Sequence, residues 1–359
     1  MATETLVYVG TYNKPPDDGI FAYRLDPDSG DLQPLSSAGG IENPSFVTID
    51  PAGRYLCAVA EVGEFEGQPG GGVASYAIDP ASGALSPIST QSSVGPGPCH
   101  VSIDATGRYA LVANYGGGSV AVLPLGSDGA LAKASAFVQH AGSGSDEQRQ
   151  KAPHAHSINP SPDNRFAFVP DLGLDRVLTY ELNHDTGALE PTPQPWVEVA
   201  AGHGPRHLAF RPDGRYAYVI NEMGNTITAF SFEPATGGLT VIQDISTLPP
   251  GYSETSYTAD IHFHPSGRFL YGSNRGHDSI AIFAVDETSG HLEMLGLESV
   301  RGTNPRNFAL DPTGSFLYAA NGQTDNIVAF RIDQDTGQLQ ATGHVTEVVK
   351  PVCIAMLAR

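Results

Sequence analysis

Three side chains that can carry positive charge, His156, Arg206 and Arg306, share one position of a repeated pattern, while Glu61, Glu222 and Arg275 share a second. Histidine and glutamate are common general bases near neutral pH. Arginine presents a planar fork of donors that grips carboxylate or phosphate and stabilises a developing oxyanion. A site joining these groups would activate water, or move a proton, beside a bound anion. Charge makes the set conspicuous. The 359 residues carry 19 Lys and Arg against 39 Asp and Glu, a formal −20. Nucleic acid and anionic membrane are poor partners for that balance. An anionic small molecule could bind only where cations concentrate.

The positions follow from two recurring turns. The first is a Gly-x-Leu, usually preceded by an acidic residue and Ser or Thr, with its glycine at Gly30, Gly83, Gly129, Gly187, Gly237, Gly290 and Gly337. Spacings run from 46 to 58 residues, and apolar alternation flanks each copy, as in IFAYRL before Gly30. This is a hairpin turn in which a polar side chain caps the backbone and glycine takes the left-handed conformation. The second turn lies between copies of the first: DPAGRY (50–55), DATGRY (104–109), SPDNRF (161–166), RPDGRY (211–216), HPSGRF (264–269) and DPTGSF (311–316). Each repeat thus holds two hairpins, four strands in about fifty residues, with no long helical periodicity. Glycine (41) and proline (28) are turn punctuation here, and the 40% hydrophobic content is ample for a core. The predicted fold is all-β, one seven-bladed propeller spanning 1–359, four antiparallel strands per blade.

The second turn occurs only six times, and the missing copy predicts how the ring closes. Lys350-Pro-Val-Cys-Ile-Ala-Met356 matches the strand that begins Asn43-Pro-Ser-Phe-Val-Thr-Ile49. Leu6-Val-Tyr-Val-Gly10 matches the strand after each Gly-Arg-Tyr turn. The C-terminus should therefore supply the innermost strand of a blade whose other three strands come from the N-terminus, leaving no long free edge.

Innermost strands line a propeller's channel. Counting from the glycine of the second turn (Asn164 in one copy), eight residues back gives Ser45, Cys99, His156, Arg206, Ala259 and Arg306, with Val352 as the terminal equivalent. Eight residues on gives Glu61, Tyr115, Leu172, Glu222, Arg275 and Gly322. Both positions fall at the end of the hairpin away from the turn, on one face of the ring. A requirement of the repeat would recur in most blades; charged residues in some and Ser, Cys or Ala in others point to a site. Arg206 and Glu222 also face each other across one hairpin, as a ring-stabilising ion pair would. Arg54, Arg108, Arg165, Arg215 and Arg268 belong to the turn on the opposite face and are structural. So are Asn114, Asp171, Asn221, Asn274 and Asn321, a position repeated in five blades and suited to loop hydrogen bonds. Among the neighbouring histidines His154, His207, His262 and His264, only His154 is kept as a site candidate.

Cys57, Cys99 and Cys353 are odd in number and lie in apolar strand patterns, so neither a disulfide framework nor metal-ligand spacing emerges. No metal and no cofactor is expected. Residues 1–12 lack a basic stretch followed by an apolar one, and no run of 18 apolar residues occurs, so a cytoplasmic protein is expected. Oligomeric state is open, and a monomer is compatible with the pattern. Inserted loops at 61–72, 139–152 and 247–258 meet the mouth where a lid would sit.

The segments Pro153-His-Ala-His-Ser157, Gly204-Pro-Arg-His207, Asn221-Glu-Met-Gly-Asn225, Ser273-Asn-Arg-Gly276 and Asn304-Pro-Arg-Asn307, with Tyr8-Val-Gly-Thr-Tyr12 and Ala113-Asn-Tyr-Gly116, resemble the seven-bladed propeller lactonases along essentially the whole chain. That family includes propeller-type 6-phosphogluconolactonases and the 3-carboxy-cis,cis-muconate lactonising enzyme. The resemblance implies a site of one His, two Arg and one Glu, here His156 or His154, Arg206, Glu222 and Arg275, with Arg306 matching a recurrent Pro-Arg. It also implies hydrolysis of a sugar lactone, 6-phosphoglucono-1,5-lactone to 6-phosphogluconate, in the pentose phosphate pathway. On that expectation Glu222 or His156 is the base, Arg206 and Arg275 meet the carbonyl end, and Arg306, His154, Glu61 and Tyr115 bind substrate. Cycloisomerisation of a muconate-type dicarboxylate would use the same cationic cradle. A non-enzymatic interaction scaffold would instead spread aromatic or charged residues evenly over the blades, a pattern not found. A metal-dependent gluconolactonase would need a compact carboxylate cluster, and none is visible.

Overall fold

The computed structural model describes residues 4–359, which form strands and turns with no helix. Seven four-stranded antiparallel sheets make the ring, each running outward from its innermost strand. Six sheets are continuous in sequence, with innermost strands at Val47–Ile49, Pro98–Ile103, Asn159–Pro160, Pro205–Phe210, Tyr257–Phe263 and Pro305–Leu310, which number blades 1 to 6. Blade 7 closes the ring as expected. Its innermost strand is Pro351–Ala358, which pairs with Thr5–Thr11, followed outward by Ile20–Leu25 and Leu32–Ala38.

Each blade is buried on both faces, and the period-2 alternation of a strand decides which interface a side chain fills. In Tyr55–Ala60, Leu56, Ala58 and Ala60 pack towards blade 7, while Cys57 and Val59 pack towards blade 2. Seven apolar clusters fill the seven interfaces, with Phe230, Phe283 and Phe330 among the fully buried rings. Burying such a ring contributes about 1.5–3 kcal/mol.

The recurring turns work as their residues dictate. The glycines of the Gly-x-Leu turn all have φ between 70° and 81°, and the second turn's Gly53, Gly107, Asn164, Gly214, Gly267 and Gly314 lie between 62° and 74°. These left-handed values favour glycine or asparagine. In the first turn an Asx side chain caps the backbone: Asp26 Oδ1 accepts from the N–H groups of Asp28 and Ser29, and Asp286, Asp333 and Asn183 repeat the contact. Neighbouring blades are latched there. The hydroxyls of Tyr8, Tyr218, Tyr271 and Tyr318 donate to the carbonyls of Gly83, Gly290, Gly337 and Gly30 in the next blade.

Candidate active site at the channel mouth

At the opposite face five of the seven inner strands begin with a distinctive break. The residue before a proline is left-handed at Asn43, Gly97, Gly204, Asn304 and Lys350, with φ of 50°, 63°, 64°, 63° and 45°. The strand then slips register just after that proline, at Cys99, Arg206 and Arg306, and again at Ala259–Asp260. A bulge re-aims the side chain it carries. The same left-handed residues accept, through their carbonyls, the N–H of the residue that ends the returning strand: Asn43 from Glu61, Gly97 from Tyr115, Gly204 from Glu222 and Asn304 from Gly322. The two selected positions of each blade are thereby brought side by side.

One cavity of about 370 Å³ opens here, lined by Tyr12, Glu61, Cys99, Tyr115, Arg149, His156, Glu222, Tyr257, Arg275 and Arg306. Glu222 is its electrostatic centre. Its Oε2 lies 3.0 Å from Arg206 Nε, 2.8 Å from Arg275 Nη2 and 3.9 Å from His156 Nε2, while Oε1 lies 2.8 Å from Arg149 Nη2. Burial alone would raise the Glu222 pKa, but Arg275, Arg206 and Arg149 outweigh it and hold the carboxyl far below the usual range.

His156 is buried at the cavity wall, its ring edge-on to Tyr115 at 5.2 Å. Its Nδ1 faces Cys99 Sγ at 3.7 Å, which leaves Nε2 towards the cavity without a hydrogen-bond partner among the described residues. Burial, with Arg206, His207 and Arg306 nearby, pushes its pKa well down, so the imidazole is neutral at pH 7. Arg306 lies over the Tyr12 ring at 5.7 Å, and its guanidinium has no hydrogen-bond partner among the described residues. Burial disfavours its charge, but Tyr12, Glu61 and Glu222 more than offset that and keep it ionised. Arg275 donates from Nη2 to Glu222 and to the Thr258 carbonyl, while its buried Nε has no partner. Glu61 accepts from Tyr12 Oη at 3.1 Å and from Ser45 Oγ. Burial, foremost, raises the Cys99 thiol to about 12, so it stays protonated.

Two expected residues stand differently from the rest. Arg206 is 1% exposed and does not line the cavity; it sits behind Glu222, giving Nη1 to the Ala259 carbonyl and to His207 Nε2. Burial and then the Arg306 and Arg275 charges lower its pKa to about 9. His154 also lies off the cavity, stacked on Tyr115 at 4.6 Å with Nδ1 2.9 Å from the Tyr115 carbonyl. Of the two histidines in that segment, only His156 opens on the pocket.

The sequence offsets missed Tyr12, Arg149 and Tyr257. Tyr12 is the blade 7 member of the returning-strand set, its N–H held by the Lys350 carbonyl at 3.2 Å. Blade 7 has no turn glycine to count from, though the match of Lys350-Pro351 to Asn43-Pro44 could have located it. Arg149 comes from an inserted loop outside the repeat, and Tyr257 opens the innermost strand of blade 5, paired with Arg275 and two residues before the counted Ala259. His207 was set aside as a neighbour, yet its Nδ1 lies 2.7 Å from Asp260 Oδ1 and its other nitrogen meets Arg206. Asp260 in turn is held by His262 Nε2 at 2.9 Å and by Asn307. Cations, a clamped carboxylate and a neutral imidazole around one opening suit acid–base chemistry on an anion or a polarised carbonyl. Among the described residues no group of three or more His, Cys, Asp or Glu is arranged to hold a metal ion.

A propeller with His, Arg and Glu gathered at its channel mouth has the layout that the sequence resemblance implies. The chain belongs to the family described as lactonase, 7-bladed β-propeller, whose model matches residues 6–356. It is 38% identical over 309 residues to the 6-phosphogluconolactonase of Bacillus subtilis, covering 86% of each chain. A 6-phosphogluconolactonase of Formosa agariphila is 37% identical over 310 residues, with 85% of this chain and 86% of that one aligned. Among solved structures, the periplasmic gluconolactonase of Pseudomonas aeruginosa superposes with a TM-score of 0.92 at 35% identity, covering 99% of both chains.

Proposed function

We propose that this chain hydrolyses a sugar 1,5-lactone, foremost 6-phosphoglucono-1,5-lactone, at the channel mouth. One observation carries the reading. A neutral imidazole with a free nitrogen and a guanidinium without a hydrogen bond open on the same cavity. The names of the relatives support the same chemistry.

Between the two candidate bases, the geometry favours His156. Glu222 is clamped by three guanidiniums, and a carboxylate of such low basicity takes protons poorly at pH 7. His156 Nε2 removes a proton from water as the water oxygen adds to the lactone carbonyl carbon. Arg275 and Arg306 meet the negative charge that forms on the carbonyl oxygen. When the tetrahedral adduct collapses, the bond from that carbon to the ring oxygen breaks, and the imidazolium proton passes to the departing ring oxygen. One water is consumed, and the product is an open-chain acid that ionises into solvent. Arg206 acts through Glu222 rather than on substrate, and Tyr115 and Glu61 shape the wall.

The test is hydrolysis of 6-phosphoglucono-1,5-lactone by purified protein, measured as 6-phosphogluconate formed above the spontaneous rate. No acceleration would remove the proposal. A parallel assay with 3-carboxy-cis,cis-muconate separates lactone opening from lactone formation. A cytoplasmic location is proposed too, on the three free, buried thiols, and cell fractionation checks it.

A further inference from the structure

We infer that Arg149 is the residue that selects a phosphorylated substrate, binding the phosphate dianion at the outer end of the cavity. This rests on the lactonase reading for the rest of the substrate, and it concerns a residue outside the repeat.

Charge is the first support. Arg149, Arg275 and Arg306 line the cavity against Glu61 and Glu222, a positive balance in a chain of formal −20. A neutral sugar lactone leaves that positive balance uncompensated, whereas a phosphate is drawn to it. Spare donors are the second. Arg149 uses only Nη2, on Glu222 Oε1 at 2.8 Å and Tyr115 Oη at 3.2 Å; its Nε and Nη1 have no partner among the described residues, and its side chain is 38% exposed. The free Nε–H and Nη1–H groups can each reach a phosphate oxygen singly while Nη2 keeps its two contacts.

Position is the third. The Glu222 carboxylate divides the site, with His156, Arg206 and Arg275 on Oε2 and Arg149 alone on Oε1. Tyr115 spans the same interval, its ring against His156 and its hydroxyl on Arg149. A lactone whose carbonyl meets His156 therefore extends its far end, where the phosphate is carried, towards Arg149. The loop that supplies Arg149 is fixed in place. Gln150 is fully buried, donating to the Leu172 carbonyl at 2.8 Å and to Asp175 Oδ1 at 2.7 Å, and Asp146 Oδ1 accepts from the Gln148 and Arg149 N–H groups. None of these contacts uses the Arg149 side chain, so truncating it leaves the loop anchored.

The experiment compares 6-phosphogluconate with gluconate, two ligands that differ only in the phosphate, by calorimetric titration of the intact protein, Arg149→Ala and Arg149→Lys. The wild type is expected to prefer 6-phosphogluconate at least tenfold, Arg149→Ala to lose most of that preference, and Arg149→Lys to restore part of it. The ratio of kcat/KM for 6-phosphoglucono-1,5-lactone over glucono-1,5-lactone should fall about thirtyfold in Arg149→Ala. No preference in the wild type, or an equal loss for both ligands in Arg149→Ala, overturns the assignment. Wild-type protein that binds 6-phosphogluconate through Arg149 yet hydrolyses neither lactone overturns the lactonase reading instead and leaves the phosphate contact standing.

Discussion

Arginine serves both faces of the ring, and it does opposite things there. On the turn face Arg54, Arg108, Arg165, Arg215 and Arg268 each lie over the aromatic ring that follows, at 5.0, 5.7, 4.9, 5.4 and 5.1 Å. Four of them also donate to a carbonyl in the next blade: Arg108 to His184, Arg165 to Pro234, Arg215 to Glu287 and Arg268 to Gln334. Where blade 6 has Ser315, Arg331 reaches across to the Phe316 ring at 4.5 Å and donates to the Asp28 carbonyl. Arg359 meets the Asp79 and Pro80 carbonyls where blade 7 joins blade 1. The fold needs a cation at these junctions and accepts it from different strands. At the mouth, each arginine occurs in a different blade or loop and has a different set of partners. Interchangeable cations are scaffold; cations that differ blade by blade, some with free donors, suit the proposed anion site.

The most severe test of that contrast is His156→Asn. It keeps a polar side chain at the cavity wall but removes the proposed base, and kcat is expected to fall by about 10²–10⁴-fold. A loss below tenfold in a lactone assay would return the base role to Glu222.

Glu222→Gln comes next. The amide cannot balance Arg206 and Arg275, which are buried against it, so stability should drop by about 3–5 kcal/mol, with kcat/KM down at least a hundredfold. Arg206→Met removes one of three cations and leaves Glu222 paired with Arg275 and Arg149; it should unfold at a higher temperature than Glu222→Gln. Thermal melts of the two variants read the difference. Equal melting temperatures would mean that Glu222 is no clamp.

Which of these features was legible before the structure follows from where the repeat holds. Blade count, ring closure and the mouth position of His156, Glu222, Arg275 and Arg306 follow from turns that recur with small variations, because a strand's register carries position over many residues. Depth was not legible. Eight residues from a turn placed Arg206 at the mouth, but the bulge at that residue turns its side chain behind Glu222. Arg149 lies in an insertion that no register reaches, and Tyr257 pairs with Arg275 on the far side of the register slip at Ala259–Asp260, so the count falls on Ala259 instead. The His207–Asp260 contact joins side chains of neighbouring blades, 53 residues apart, and only the packing of one blade on the next brings them together.

A smaller effect concerns pH. Arg206, His207, Arg306 and Glu222 face His156, and burial with the cationic neighbours lowers its pKa well below 6.5. As the proposed base it must be neutral to act, so activity is expected to be lost only as pH falls through that depressed value. With glucono-1,5-lactone, which has no titrating phosphate, kcat/KM corrected for spontaneous opening should change by less than about threefold between pH 8 and 6. A decline centred near 6.5 would indicate an imidazole without the cationic surroundings described here.

The smallest effects belong to the turn face, and they sharpen the contrast from its other side. Tyr218→Phe removes one hydroxyl whose donation to the Gly290 carbonyl spans 2.7 Å, a loss of about 1 kcal/mol in denaturant titration. Arg215→Ala removes a stack on Tyr216 and a bond to the Glu287 carbonyl by a solvent-exposed side chain, and should lower the denaturant midpoint less than Tyr218→Phe does. Neither should move kcat or KM, since the blade's other hairpin end, where Glu222 sits, is held by separate bonds such as Glu222 N–H to the Gly204 carbonyl. A kinetic effect from Arg215→Ala comparable to that of Arg149→Ala would mean that the two faces are mechanically coupled through the blade. The division between scaffold arginines and ligand-seeking arginines would then fail, because one cation would be doing both.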